Sequence, residues 1–331
     1  MTMWKITSGR GSRLTKEFVE NNVVAVGLDD ETDFTSVTSR EEMRALVAQR
    51  VPSLTEKQVI VAGSQWWRFL NELQIGDEVL VYEPDTRNYH FGEISGPARF
   101  ELGLIPELPV VRSVSWRTEV PRDALETTTK NSLGAVLTLF KVPADAEMDV
   151  KRVVTGEKGS LQADDTGDLD AEADLDPFSD IEGLALERVK DRINALSWDD
   201  MQELVAALLR ALGYRTSISA AGPDRGKDII ASRDGFGFER PRIVVEVKHR
   251  RGQMGSQEIR SFLGGRHADD RGLYVSTGGF TKDAHYEAER ASTVTHLMSL
   301  DELAKALIEQ YDQLDEDGRR LLPLTKIYWP A

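Results

Sequence analysis

The sequence predicts a two-domain chain of mixed α and β structure, with a β-rich N-terminal domain and a C-terminal α/β/α sandwich. Three observations lead there. The chain is 331 residues long, enough for two cores. Residues 159–183 hold nine acidic residues and no Lys or Arg, a composition too charged and too poor in large apolar side chains to pack. Before that stretch, short β-branched runs are separated by turn signals. After it, such runs alternate with amphipathic helical patterns.

In the first domain, residues 1–145, the run VVAVG at 23–27 reads as a buried strand. Residues 39–49 read as a helix with a Ser and Glu start signal. Ile75, Gly76 and Asp77 form a tight turn into a strand over 78–82, which pairs as a hairpin with 89–94. Further strands are expected over 110–116 and 131–140, and a helix over 66–73. Residues 146–183 read as an acidic linker, 184–315 as the second domain and 316–331 as a tail.

The second domain opens with helical patterns over 185–194 and 201–212. In the latter, Met201, Leu204, Val205, Leu208, Leu209 and Leu212 form one apolar stripe and Gly213 ends the helix. Strands follow over 228–231 and 242–248, a helix over 256–263, a buried strand over 273–277, a helix over 282–290, a strand over 295–299 and a helix over 300–311.

The chemistry concentrates between Gly222 and Arg250. Side chains alternate across a strand, so Glu246 and Lys248 share one face while Val245 and Val247 share the other. A buried strand has little reason to set a carboxylate beside an ammonium. With Asp228 on a neighbouring strand, two carboxylates, a lysine and the Val247 carbonyl converge on a volume suited to a hydrated divalent cation.

Asp228 followed by Glu246-Val247-Lys248 resembles the active site of the PD-(D/E)xK nucleases. The pieces MQELVAALLRALGY (201–214), GPDRGKDII (222–230) and GLYVSTGGFTKDAHYEAER (272–290) are similar to the Mrr-like restriction endonucleases. The resemblance implies a Mg²⁺-dependent endodeoxyribonuclease of defence type. Asp228, Glu246 and Val247 would hold the metal, and Lys248 would orient or deprotonate the attacking water. Glu203, Asp224 and Gln257 are accessory candidates. His249, Arg250 and Arg251, on a loop read as mobile, and Thr281 and Lys282, at a helix N-terminus, are candidates for phosphate contact. Cutting both strands of double-stranded DNA requires two such sites, hence an expected homodimer.

In the first domain, residues 4–6, 73–82 and 90–94 resemble the PUA-like barrels of the EVE type, which implies a barrel that recognises modified bases. Trp66, Trp67 and Phe69 form a dense aromatic cluster and are the candidate wall for a flipped base; the alternative is that they staple a helix to the barrel. Two other readings stay open: an inactive sensor of modified nucleic acid, and a nuclease directed to RNA.

Net charge is −15, but the acidic stretch supplies −9 of it, and residues 240–271 carry eight Lys or Arg against four acids. Local sign decides where phosphate docks. The chain has no Cys, which excludes disulfides and thiolate metal sites. His249, His267, His285 and His296 share no ligand spacing, and no GxxxxGK[ST] motif points to nucleotide hydrolysis. No long apolar run or signal pattern is found, so a soluble cytoplasmic protein away from membranes is expected.

Overall fold

The computed structural model describes residues 1–27, 31–134, 137–156, 181–219, 228–234, 238–264, 266–267 and 269–327. The chain divides into two compact units, Met1–Leu184 and Ala185–Ala331.

The first unit is built on one mixed sheet of strands β1 (Met3–Ile6), β2 (Val23–Val26), β3 (Glu78–Glu83), β4 (Asn88–Ile94), β5 (Arg99–Phe100), β6 (Val110–Pro121) and β7 (Leu139–Lys141). Their order is β2-β6-β4-β3-β1-β7, with β5 on β6. Neighbours are antiparallel except β1 and β3, which run parallel. Among the described residues β7 and β2 do not pair, so the sheet is a half-barrel rather than a closed barrel.

Strand alternation sorts the two sides. Val79 and Val81 join Trp4, Ile6, Trp66 and Phe69 in one core, while Leu80 and Tyr82 pack with Leu133, Ala146 and Val150 in another. The turn before β3 has Gly76 at φ 91°, a conformation open to glycine. Asp77 anchors it by accepting bonds from the Thr2 and Gln74 backbone N–H groups and from Trp4 Nε1, at 2.9, 3.0 and 3.0 Å.

Helices α1 (Thr15–Glu20), α2 (Arg40–Arg50), α3 (Glu56–Trp67), α4 (Thr127–Leu133) and α5 (Ala144–Thr155) complete the unit. Ser39 caps α2 by accepting from the Glu42 N–H at 3.1 Å. Thr55 and Gln58 form a capping box at the start of α3, so that helix begins well before Trp66. The strand expected over 131–140 is split: α4 runs to Leu133 and only Leu139–Lys141 is extended. Helix α5 buries Ala146 and Val150 against the sheet, so residues 144–155 belong to this unit and not to a linker. The acidic stretch over 157–180 lies outside the described residues.

The second unit is an α/β/α sandwich around strands β8 (Arg215–Ile218), β9 (Ile229–Ser232), β10 (Ile243–Lys248), β11 (Arg271–Ser276) and β12 (Thr295–Ser299), in the order β12-β11-β10-β9-β8. The pairs β10–β11 and β11–β12 are parallel; β9 is antiparallel to β10 and to β8. One face carries α6 (Ile181–Asn194), α7 (Trp198–Ala211), α10 (Leu300–Glu309) and α11 (Glu316–Leu321); the other carries α8 (Ser256–Leu263) and α9 (Lys282–Glu289).

The apolar stripe of α7 buries Met201, Leu204, Val205 and Leu208 against Val245, Val247, Leu273 and Val275. Its first turn is capped by Ser197, which accepts from the Asp200 N–H at 3.1 Å. Residues 314–322 are not a loose tail: Leu314 and Leu322 are in this core, and Gly318 lies so close to α7 that an added Cβ would sit 2.8 Å from Ala207 Cβ.

Candidate active site

Strand β10 places Glu246 and Lys248 on the α8–α9 side of the sheet, because Val245 and Val247 occupy the α7 side. Lys248 Nζ stands 2.8 Å from Glu246 Oε1. Asp228 directly precedes β9, and its backbone is clamped on both sides. Its N–H donates to Val245 O and its carbonyl accepts from Ser219, each at 2.9 Å. The antiparallel register ends at Ile229 facing Val245, and Asp228, one residue before it, lies close enough to Glu246 for both carboxylates to act on Arg266. Asp228 Oδ2 accepts a 2.7 Å bond from the Val247 N–H. The structure thus brings Asp228, Glu246 and Lys248 together on one strand pair.

Two buried hydroxyls border them. The parallel register sets Tyr274 beside Glu246 and Ser276 beside Lys248. Both residues are 0 % exposed; the Ser276 hydroxyl finds no hydrogen-bond partner among the described residues, and the Tyr274 hydroxyl lies against the Glu246 carboxylate. Burial, then the Glu246 carboxylate, pushes the Tyr274 phenol well up, so it stays protonated at neutral pH. Phe262 and Phe280 meet the Tyr274 ring edge-on at 5.1 and 5.9 Å.

Arg266 enters from the loop between α8 and β11. Its side chain is 0 % exposed, with the guanidinium 4.1 Å from the centre of the Phe262 ring and Nη2 3.9 Å from Glu246 Oε2. Nothing in the spacing of the sequence marks Arg266, Tyr274 or Ser276. Only the pairing of β11 with β10 and the course of the loop bring them in.

The remaining sequence candidates fall differently. Glu203 pairs with Arg210 at 2.6 Å, and Arg210 in turn holds Asp315 at 2.6 Å. That network ties α7 to the start of α11, and the contact expected of Glu203 with the carboxylate pair is absent from it. His249 shares the parity of Val245 and Val247, and its Nε2 donates to Leu196 O at 2.9 Å. It is a packing residue on the opposite side from Lys248, which corrects its assignment to phosphate contact.

Gln257 is exposed on the first turn of α8, where Glu258 makes the cap by accepting from the Gly255 N–H at 3.1 Å. Arg250 pairs with Glu258 at 3.2 Å and is 54 % exposed; Arg251 and Lys282 are exposed. Thr281 caps α9 by accepting from the Ala284 N–H at 3.2 Å. Asp224 lies outside the described residues.

The loop expected to be mobile after Lys248 is laced to the turn before α9. Thr277 N–H donates to Lys248 O at 3.1 Å, Met254 N–H to Gly279 O at 2.9 Å and Thr281 N–H to Met254 O at 3.0 Å. A Cβ at Gly278 would lie 2.2 Å from Gly252 O, so only glycine allows the two turns to close.

In the first unit, Trp66 is 2 % exposed and Phe69 0 %, both packed in the core. They staple α3 to the sheet and present no ring face to a ligand, which corrects the proposed wall. Trp67 alone of the three is half-buried. Among the described residues no cluster of three or more His, Cys, Asp or Glu side chains forms, and no helix is long and apolar enough to cross a membrane.

Comparison with known proteins gives two family matches. Residues 193–307 match the family described as restriction endonuclease (Mrr_cat), and residues 4–141 match a domain of unknown function (DUF8426). An uncharacterized protein, y4cE, of Sinorhizobium fredii (strain NBRC 101917 / NGR234) is 31% identical over 98 residues, covering 28% of this chain and 25% of the relative. The chain therefore matches about a quarter of that relative's length.

Two solved structures share 14% identity and a TM-score of 0.32. MspJI restriction endonuclease in complex with a 27-mer oligonucleotide is matched over 88% of this chain and 70% of its own, and the DNA modification-dependent restriction endonuclease AspBHI over 80% and 72%. The stretch matched by the restriction endonuclease family model, residues 193–307 of the C-terminal unit, includes all five strands of its sheet and the Asp228, Glu246 and Lys248 side chains.

Proposed function

We propose that this chain is a divalent-metal-dependent endodeoxyribonuclease that hydrolyses phosphodiester bonds at Asp228, Glu246 and Lys248, with the N-terminal unit selecting modified DNA. The observation that carries the reading is the cluster itself: two carboxylates on one strand pair, with an ammonium 2.8 Å from one of them. The donor set fits Mg²⁺. Two carboxylates and the Val247 carbonyl are hard oxygen ligands, too few to enclose an ion and suited to one that keeps several waters.

Bound there, the metal supplies positive charge beside the scissile phosphate. The protein does the rest. Asp228 and Glu246 hold the site in register because the Val247 N–H fixes one carboxylate and Lys248 the other. Lys248, 35 % exposed at the strand end, reaches solvent and can orient the attacking water or take its proton. Arg250, Arg251 and Lys282 are exposed cations around the same end of the sheet, and with the N-terminus of α9 at Thr281 they are suited to flanking phosphates.

Specificity is assigned to the first unit on its half-barrel sheet, whose mixed order is compatible with a PUA/EVE-like domain, with Trp67 as the remaining aromatic candidate for stacking. Cleavage of both strands of a duplex needs two catalytic units, so the active form is a homodimer, at least on DNA. The test is incubation of the full chain with Mg²⁺ or EDTA and with matched modified DNA, unmodified DNA and RNA. Metal-dependent cutting that favours modified DNA is expected. Cutting of RNA alone, or no cutting of any substrate, refutes the assignment.

A further inference from the structure

Glu246 needs a fixed orientation if it is to present an oxygen to an ion, and Lys248 is a poor device for fixing it. The ammonium is bonded to Glu246 at 2.8 Å, but its side chain is partly exposed at the strand end and rides on a flexible four-carbon stem. It is also the group assigned to the attacking water, and it cannot attend to both.

Tyr274 is built differently. Strand β11 lies parallel to β10, and the register sets Tyr274 directly beside Glu246. The residue is fully buried. Its ring is gripped on two sides, by Phe262 at 5.1 Å and 83° and by Phe280 at 5.9 Å and 75°, within the apolar cluster under α8 and α9. A phenylalanine would fill that cluster equally well, and a hydroxyl in an apolar core is costly unless it is paired. The Tyr274 hydroxyl lies against the Glu246 carboxylate and finds no other partner among the described residues. An ionised carboxylate only accepts, so Tyr274 is the donor.

We propose that Tyr274 is a positioning residue for the candidate metal site: its phenol donates to Glu246 and keeps that carboxylate turned toward the site while Lys248 serves the attacking water. The inference rests on the nuclease reading and deepens it. Groups that hydrogen-bond a ligating carboxylate set its orientation, and their loss weakens metal binding without removing a ligand. Here the donor sits on a neighbouring strand with its ring locked by packing, so it holds Glu246 whether or not Lys248 does. The arrangement separates two tasks that the sequence Glu246-Val247-Lys248 places on adjacent side chains of one face.

The experiment is calorimetric titration of the full chain with calcium, beside a magnesium-dependent cleavage assay. Tyr274→Phe keeps the ring and removes only the donor; Tyr274→Leu removes both. Each variant should bind calcium roughly tenfold to a hundredfold more weakly than wild type. The magnesium concentration giving half-maximal cleavage should rise by the same factor. A merely structural role predicts another pattern, in which Tyr274→Leu is weakened and Tyr274→Phe behaves like wild type.

Wild-type calcium affinity in Tyr274→Phe overturns the proposal, whatever Tyr274→Leu does. If circular dichroism shows that Tyr274→Phe does not fold, Tyr274→Met, equally without a donor, takes its place. If neither folds, the hydroxyl serves the fold and the positioning role is refuted. Glu246→Ala separates this failure from a wider one. Calcium binding lost in Glu246→Ala but unchanged in Tyr274→Phe refutes this inference alone, whereas a wild type that binds no calcium refutes the metal-site reading with it.

Discussion

Asp228 does two jobs that a pair of substitutions can separate. Its Oδ2 accepts the Val247 N–H at 2.7 Å, and Val247 is 0 % exposed. Its negative charge forms half of the proposed metal site. Asp228→Asn keeps an oxygen in place for the Val247 N–H and removes the charge. A charge-assisted bond becomes a neutral one, at a cost of about 1 kcal/mol, offset in part by relief of repulsion from Glu246. Asp228→Ala removes the acceptor and leaves a buried N–H unmet, at about 1–3 kcal/mol.

Stability should therefore fall in the order wild type, Asp228→Asn, Asp228→Ala. Cleavage should be lost in both. If the lost carboxylate contributes about 4 kcal/mol of charge stabilisation, the rate falls roughly a thousandfold. Urea unfolding gives the first quantity and a magnesium-dependent nicking assay the second. An Asp228→Asn protein that cuts at near wild-type rate refutes the placement of the site. An Asp228→Ala protein as stable as wild type refutes the structural half of the reasoning.

Two further outcomes follow from buried groups. Trp66→Ala empties a position 2 % exposed in the core of the first unit, so it should destabilise that unit by about 3–5 kcal/mol, seen in its thermal unfolding; a fully stable variant with altered DNA selection would return Trp66 to the base pocket. Asp270 is held by Arg240 and Arg242. Burial alone would raise its carboxyl, but bonds from Arg242 and the His267 N–H, and the two guanidinium charges, outweigh it and hold the carboxyl below the usual range.

A carboxyl depressed on folding stabilises above its unfolded pKa, about 4, and that stability is lost as pH falls through the folded value. Wild type should therefore exceed Asp270→Asn in urea stability by a constant margin above about pH 5, and the margin should shrink on further acidification. A margin that grows on acidification would contradict the assignment.

Much of the candidate cluster could be read from the sequence because a strand's period is two. Glu246 and Lys248 had to share a face opposite Val245 and Val247, and they meet at 2.8 Å. The same parity, extended one step, also put His249 on the Val247 side, where it bonds Leu196; a run of basic residues concealed that signal. Helix starts were legible where a cap could form, as at Ser39, Ser197 and Thr281, since the cap is a bond between residues three apart.

Only the tertiary structure decided which strand Asp228 would face, because the antiparallel pairing of β9 with β10 is not encoded by local spacing. It also decided that the dense aromatics Trp66 and Phe69 are core. Aromatic rings bury as readily as they stack, and composition alone does not distinguish the two. Arg266 had no local signature at all: its place beside Glu246 comes from a loop returning across the sheet, and burial gives that charge its weight.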